Sequence, residues 1–493
     1  MTSEPVTTSR APAVPPSPPP TAPELGTGGL ALVLTGLFLA VVDFFIVNVA
    51  LGDLGRRLHA STAQLELVVA GYGVSYAVLL VLGGRLGDTF GRRRVFATGM
   101  AGFVAASLLC GLAPSTAWLI PARILQGATA ALLVPQVLAT IQATTSGERR
   151  ARAIGFVGAT AGLGAVVGQV VGGWIVSADL AGSGWRPIFL VNVPIGLTAL
   201  ALCGRIPATR SARPSDVDVT GTLLIGAAVV SLLLPLTEGR AQGWPLWSWV
   251  LLALSPGFAL ALRRAELRQE AAGRVPLLPP SVIRAPTMSR GLALAVPTFA
   301  GFGGFMFCYA VATQQVIGWT PLRSGLVLAP MALTFLGASL LAPRFARRFG
   351  RSLLTFGFAV QAVVYPLLAV TIWTAWGPGP HEQLSAWDLA PLLAVAGFGQ
   401  GLVFSPLFGL ILSRVPVELA GVGSGVLATT QQSSLALGTA ALGTAFTTLA
   451  DRADAGPRAA FVTVALVQAA VAVAGIGLSR PLPDRGRTAP RLP

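Results

Sequence analysis

Two charged side chains in this chain fall where a charge is costly. Asp43 lies inside the apolar run Val42-Asp43-Phe44-Phe45-Ile46-Val47-Asn48, and Arg123 opens Arg123-Ile124-Leu125-Gln126-Gly127 in another. A carboxylate held in an apolar helix can bind and release a proton or a cationic molecule, and a nearby guanidinium tunes how tightly it does so. Counted at roughly 1.5 Å per residue, Asp43 sits about 12 Å and Arg123 about 8 Å from the same ends of their helices, so the two reach similar depth. A fixed ion pair that only sets helix packing is the competing reading. A purely structural pair is readily replaced by apolar residues, which favours a functional one. A third charged stretch is different in kind: Gly84-Arg85-Leu86-Gly87-Asp88-Thr89-Phe90-Gly91-Arg92-Arg93-Arg94 is a short hinge between two apolar runs. Its glycines permit a tight turn, and Asp88 can face the positive end of the following helix dipole.

The elements that carry these residues are set by composition. The 493 residues are 53% hydrophobic and 11% charged, about half the charge fraction of a soluble domain. Fourteen apolar segments are long enough to cross a bilayer at roughly 20 residues each. They fall at 29–51, 66–84, 95–113, 118–141, 152–177, 187–204, 219–237, 245–262, 291–316, 324–343, 352–374, 389–413, 420–449 and 459–479. The reading is an all-α polytopic membrane protein. A Pro-, Ser- and Thr-rich tail (1–28) precedes an N-terminal six-helix half (29–205). Two inserted helices and a loop (206–290), a C-terminal six-helix half (291–479) and a second tail (480–493) complete it.

Charge sets the orientation. All 34 basic residues are arginine. With the N-terminus inside, only Arg56, Arg57, Arg186, Arg240, Arg323, Arg452 and Arg458 lie outside and Arg123 within a helix, as the positive-inside rule requires. The ten tryptophans all fall at or beyond the outer interface. Both termini are therefore expected in the cytoplasm. The formal charge of +15 reads as membrane orientation, not nucleic-acid binding. Without lysine no Walker-type phosphate loop can form, so energy must come from a gradient or a partner. Cys110, Cys203 and Cys308 are scattered in apolar runs, and His59 and His381 fall in loops. That leaves no metal site, disulfide or histidine relay to expect, and no clustered groups for an enzyme.

The hinge recurs. Pro343-Arg344-Phe345-Ala346-Arg347-Arg348-Phe349-Gly350-Arg351 follows the tenth segment as the first hinge follows the second, with Arg347 for Asp88 and Gly350 for Gly91, which points to a duplicated fold. The full Gly84–Arg94 spacing resembles the signature of the major facilitator superfamily. The Arg123–Ala130 stretch resembles that family's fourth-helix motif, whose buried arginine is linked to proton movement. Trp185-Arg186-Pro187-Ile188-Phe189-Leu190-Val191-Asn192-Val193-Pro194-Ile195-Gly196 looks like a stretch of its fourteen-helix drug:proton antiporters. Gly164, Gly168, Gly172 and Gly173 resemble the antiporter glycine stripe, with Gln169 where that motif has proline. The glycines let another helix approach closely, while the proline kink is missing.

The resemblance implies export of drugs or antibiotics across the cell membrane in exchange for protons, with no cofactor. On this reading Asp43 couples, Arg123 and Gln126 support it, and Gly84, Asp88, Gly91 and Arg92 form a cytoplasmic gate. The C-terminal segments carry uncharged polar groups instead. Gln314, Gln315, Gln431 and Gln432 are candidate cavity residues, which suits neutral or singly charged amphipathic substrates. An exporter dedicated to one endogenous metabolite or siderophore, or to self-resistance in a producer, is the alternative; a membrane sensor is a more distant one.

Overall fold

A computed structural model describes residues 24–479 except 180–181, 211–217, 240–241, 275, 351, 377–383, 417–419, 451 and 453–455. Within helices the side chains of residues 62, 63, 66, 219, 237, 315, 321, 347, 420 and 421 also lie outside the described set, as do His381 and both tails from residue 1 to 23 and from 480 to 493.

Every regular element among the described residues is helical. In order they are α1 (Thr27–Leu58), α2 (Thr62–Phe90), α3 (Arg92–Gly111), α4 (Thr116–Thr144), α5 (Gly147–Ala178), α6 (Pro187–Leu190), α7 (Asn192–Ala201) and α8 (Val219–Glu238). There follow α9 (Leu246–Ala271), α10 (Pro280–Ile283), α11 (Pro286–Ala310), α12 (Pro321–Phe349), α13 (Ser352–Ala375), α14 (Ala386–Ile411), α15 (Ala420–Ala450) and α16 (Gly456–Ser479). Twelve of these helices are long and apolar enough to cross a bilayer, and two shorter apolar stretches, Pro187–Ala201 and Thr220–Leu236, stand where the sixth and seventh segments are expected.

The packing repeats with an offset of ten in helix number from α1 to α5, and of nine for α7, which corresponds to α16. The first set pairs α1 with α5, α2 with α4, and α3 with α4 and α7; the second pairs α11 with α15, α12 with α14, and α13 with α14 and α16. The sets meet where α5 lies along α12 and α2 along α15, while α8 and α9 pack on each other and α8 leans on α2.

Small residues set these distances. A Cβ at Gly168 would come 2.8 Å from the carbonyl oxygen of Val42, and one at Gly164 would come 3.0 Å from Val41, so α5 lies directly on the α1 backbone. Gly172 meets Ile46 in the same row, Gly173 is buried, and α5 runs unbroken through the buried Gln169.

Two expectations need correction. First, α1 extends to Leu58 instead of ending near residue 51, so Asp53, Arg56 and Arg57 sit on its last turns, where Asp53 pairs with both arginines. His59 closes it in the left-handed region. Second, the expected segment 187–204 is broken at Val191 into α6 and α7. Pro194 lacks the N–H that would bond the carbonyl of Leu190, so the hydrogen-bond ladder is interrupted there while Val191 keeps helical dihedrals. Trp185 and Trp319 are buried in protein, whereas Trp118, Trp174, Trp249, Trp373 and Trp387 are exposed.

Candidate functional site

Asp43 and Arg123 meet. Both are fully buried, and Nη1 of Arg123 donates to Oδ2 of Asp43 in a short ion pair between α1 and α4. The guanidinium is held from three further directions. Nε donates to the carbonyl of Val68 at 3.1 Å, Nη1 also donates to Oε1 of Gln126 at 2.7 Å, and the group lies 4.3 Å from the Tyr72 ring centre. The Tyr72 hydroxyl donates to the Ala40 carbonyl at 2.9 Å, which fixes that ring. Phe189 covers the other side at 5.6 Å. Gln126 lies one helical turn after Arg123, so both side chains leave the same face of α4.

The other carboxylate oxygen is held by amides. Oδ1 of Asp43 accepts from Nε2 of Gln126 at 2.8 Å and from Nδ2 of Asn192 at 2.8 Å. Both amides also reach the hydroxyl of Ser107 on α3, at 2.9 and 3.3 Å. Four elements, α1, α3, α4 and α7, thus close on one acid. Removing one partner from such a buried pair typically costs about 3–5 kcal/mol, because an uncompensated charge is left behind.

Asn192 and Ser107 are the residues that sequence reasoning did not single out. Asn192 had a signal, as the polar residue of the Trp185–Gly196 stretch, and it is the first residue of α7 just past the helix break. Ser107, within Ala105-Ala106-Ser107-Leu108, had none.

A narrow cleft opens beside this cluster, between the two helix sets. Phe44, Phe45 and Tyr76 line it from one side and Phe302 and Phe404 from the other, with Gln431 and Gln432 supplying amides. Among the described residues no carboxylate or arginine lines it. Asp43 is absent from its wall, but the next residue, Phe44, is in it. Gln314 is not part of the lining; it lies half-buried in a π-helical turn, Val311–Val316, and the side chain of Gln315 is outside the described residues.

The hinge forms a second cluster at the far end of α2. Gly91, at φ +100°, ends α2 and starts α3, a conformation that favours glycine. Asp88 and Arg92, one turn apart across it, pair at 2.7 Å with both side chains buried, and Gly84 is buried beside them. Nη2 of Arg85 reaches the Pro276 carbonyl at 2.5 Å, tying the loop after α9 to the hinge. Gln136 of α4 donates to the Gly83 carbonyl at 2.7 Å and fills the space that a Cβ at Gly87 would need. At this end the two sets are in contact: Ser424 on α15 donates to the Pro135 carbonyl at 3.1 Å, and Gly425 packs on Val81. The repeated hinge also turns on a left-handed glycine, Gly350 at φ +55°.

Residues 33–439 match the family model described as Major Facilitator Superfamily. The chain is 36% identical to a probable actinorhodin transporter of Streptomyces coelicolor, over 85% of this chain and 72% of that protein. It is 33% identical to a cephamycin export protein of Amycolatopsis lactamdurans over 94% of both chains. A tetracenomycin C resistance and export protein of Streptomyces glaucescens is 32% identical over 84% of this chain and 74% of that one. Among solved structures, the human organic anion transporter MFSD10 superposes with a TM-score of 0.64 at 15% identity, covering 94% of this chain and all of that one, which is a likeness of fold.

Proposed function

Because this chain belongs to the major facilitator superfamily, a family of transporters and not of enzymes, we propose that it exports hydrophobic antibiotic-like molecules across the cell membrane in exchange for protons. The observation that carries this reading is the adjacency of Asp43 and Phe44: one residue sits at the centre of a buried polar cluster and the next forms the wall of an aromatic cleft. A change in the charge on Asp43 therefore acts directly on the helix turn that faces the cargo.

The cleft's chemistry supports the cargo class. Five aromatic rings suit flat or polycyclic molecules through stacking, and the amides of Gln431 and Gln432 can bond carbonyl or hydroxyl groups. A dication would find no buried countercharge there. The relatives named for actinorhodin, cephamycin and tetracenomycin C support antibiotic export. Since each is named for one compound, a dedicated exporter remains the second reading.

The hinge end, rich in arginine, is assigned to the cytoplasm together with both termini. Its closed packing is then one state of an alternating cycle in which the Asp88–Arg92 pair steadies the turn as the sets rock against each other.

Inverted vesicles loaded with the transporter test the reading. Uptake of a lipophilic antibiotic should follow an imposed proton gradient and collapse with an uncoupler. The Asp43→Asn protein should reach the membrane yet lose at least 90% of gradient-driven uptake. Full pH-dependent uptake by that variant would refute the assignment of Asp43. A panel of lipophilic compounds separates broad from dedicated export.

A further inference from the structure

Two amides donate to the same oxygen of Asp43, and only one of them is fixed at its other end. Oε1 of Gln126 accepts from Arg123 at 2.7 Å and is approached by the Cys110 thiol at 3.4 Å, so turning that amide would break its bond to the guanidinium. Oδ1 of Asn192 is buried and has no hydrogen-bond partner among the described residues. Leaving a buried acceptor unpaired is costly, and such an atom in a native site calls for an explanation.

We propose that Asn192 is the positioning residue that lets Asp43 take up and release its proton, by turning its side-chain amide between donor and acceptor. This rests on the reading of Asp43 as the coupling carboxylate. With Asp43 ionised, Oδ1 accepts two N–H donors, as observed. When a hydronium ion from the aqueous phase gives its proton to Oδ1, an O–H bond forms there, water leaves, and two donors now face a third. One amide must turn. Asn192 can do so without losing any bond at its oxygen, giving up only the donation of its Nδ2 to the Ser107 hydroxyl, and the turned Asn192 oxygen accepts the new O–H.

The remaining positive charge is already provided for. Arg123 keeps the Val68 carbonyl, Oε1 of Gln126 and the face of Tyr72 when the carboxylate is neutralised. The other titratable groups facing this site are Tyr72 from α2 and Cys110 from α3, neither of which bonds the carboxylate. Asn192 also stands directly after the break at Val191, and Gly196 one turn on packs against Val104 of α3. The amide is thus mounted at the start of a short helix, where the hydrogen-bond ladder from α6 is interrupted, not in the middle of a long continuous one.

The test compares net flux with exchange, both in vesicles holding the full chain. Asn192→Val, which neither donates nor accepts, should lower proton-driven efflux tenfold or more while exchange of labelled for unlabelled antibiotic at equal pH falls less than threefold. Asn192→Ser, whose hydroxyl can do either, should recover net efflux to within threefold of the parent. Normal proton-driven efflux by Asn192→Val overturns the proposal. Equal loss of exchange and net efflux in both variants also overturns it and leaves Asn192 a packing residue. If Asp43→Asn retains gradient-driven transport, the coupling reading fails first, whatever Asn192 does.

Discussion

The two helix sets share one packing plan and bury opposite chemistry. In the first, α1, α3, α4 and α7 bring Asp43, Ser107, Arg123, Gln126 and Asn192 onto one point. In the second, α13, α14 and α16 contribute Gln361, Gln400 and Gln468, and the Gln468 amide bonds the Gly301 carbonyl of α11. No carboxylate or arginine is buried in α11–α16 among the described residues. A duplicated scaffold therefore concentrates the costly charges in one copy and keeps neutral polar groups in the other. On the proposed mechanism, only one wall of the central cleft has to respond to protons, while the other can move as a neutral body with a fixed surface.

The sharpest way to break this comparison is to unbalance the charged copy. Arg123→Leu leaves Asp43 buried without a cation and without the Arg123–Gln126 bond, and should cost about 3–5 kcal/mol, seen as poor recovery from the membrane and early thermal unfolding in detergent. Adding Asp43→Asn should restore most of that stability without restoring transport, since the neutral amide no longer needs the guanidinium. If Arg123→Leu alone is as stable as the parent, the pair contributes nothing to the fold and the asymmetry between the copies is one of function only.

A smaller effect tests the scaffold the copies have in common. Gly168 in α5 and Gly438 in α15 occupy corresponding helices, each against a backbone carbonyl of its partner, Val42 in α1 and Ala300 in α11. A Cβ would come 2.8 Å from the Val42 oxygen, but would be driven into that of Ala300. Both changes to alanine should destabilise by overpacking, on the order of 1–3 kcal/mol, with Gly438→Ala the worse of the two in a thermal-shift measurement. The reverse order would mean that α11 and α15 separate more easily than their counterparts.

Much of this plan is written in the sequence, because bilayer crossing forces long apolar runs and repeats force matching hinges. The Gly91 turn and the glycine row of α5 each follow from local spacing, and the similar depth of Asp43 and Arg123 follows from counting residues along their helices. What the sequence hides is what depends on helices far apart in the chain. Ser107 is an ordinary serine until α3 is set beside α4, and Asn192 joins Asp43 across 149 positions. Nor does hydropathy distinguish a membrane-facing tryptophan from Trp185, which is enclosed by its own bundle. Pro194 was in view, yet its effect on the sixth segment requires reading which carbonyl its missing N–H would have bonded.

The mildest perturbation falls on the neutral copy. Gln361 is buried on α13, and its Nε2 has no hydrogen-bond partner among the described residues. Replacing it with leucine removes an unsatisfied donor and keeps similar bulk, so stability should stay the same or rise by about 1 kcal/mol or less. Proton-driven efflux should stay within twofold of the parent. The same kind of change in the charged copy, Gln126→Leu, removes a donor from Asp43 and an acceptor from Arg123 at once and should do far more harm in the same assay. A collapse of efflux in Gln361→Leu would place a working polar group in the second copy, and the division of labour between the two sets would have to be abandoned.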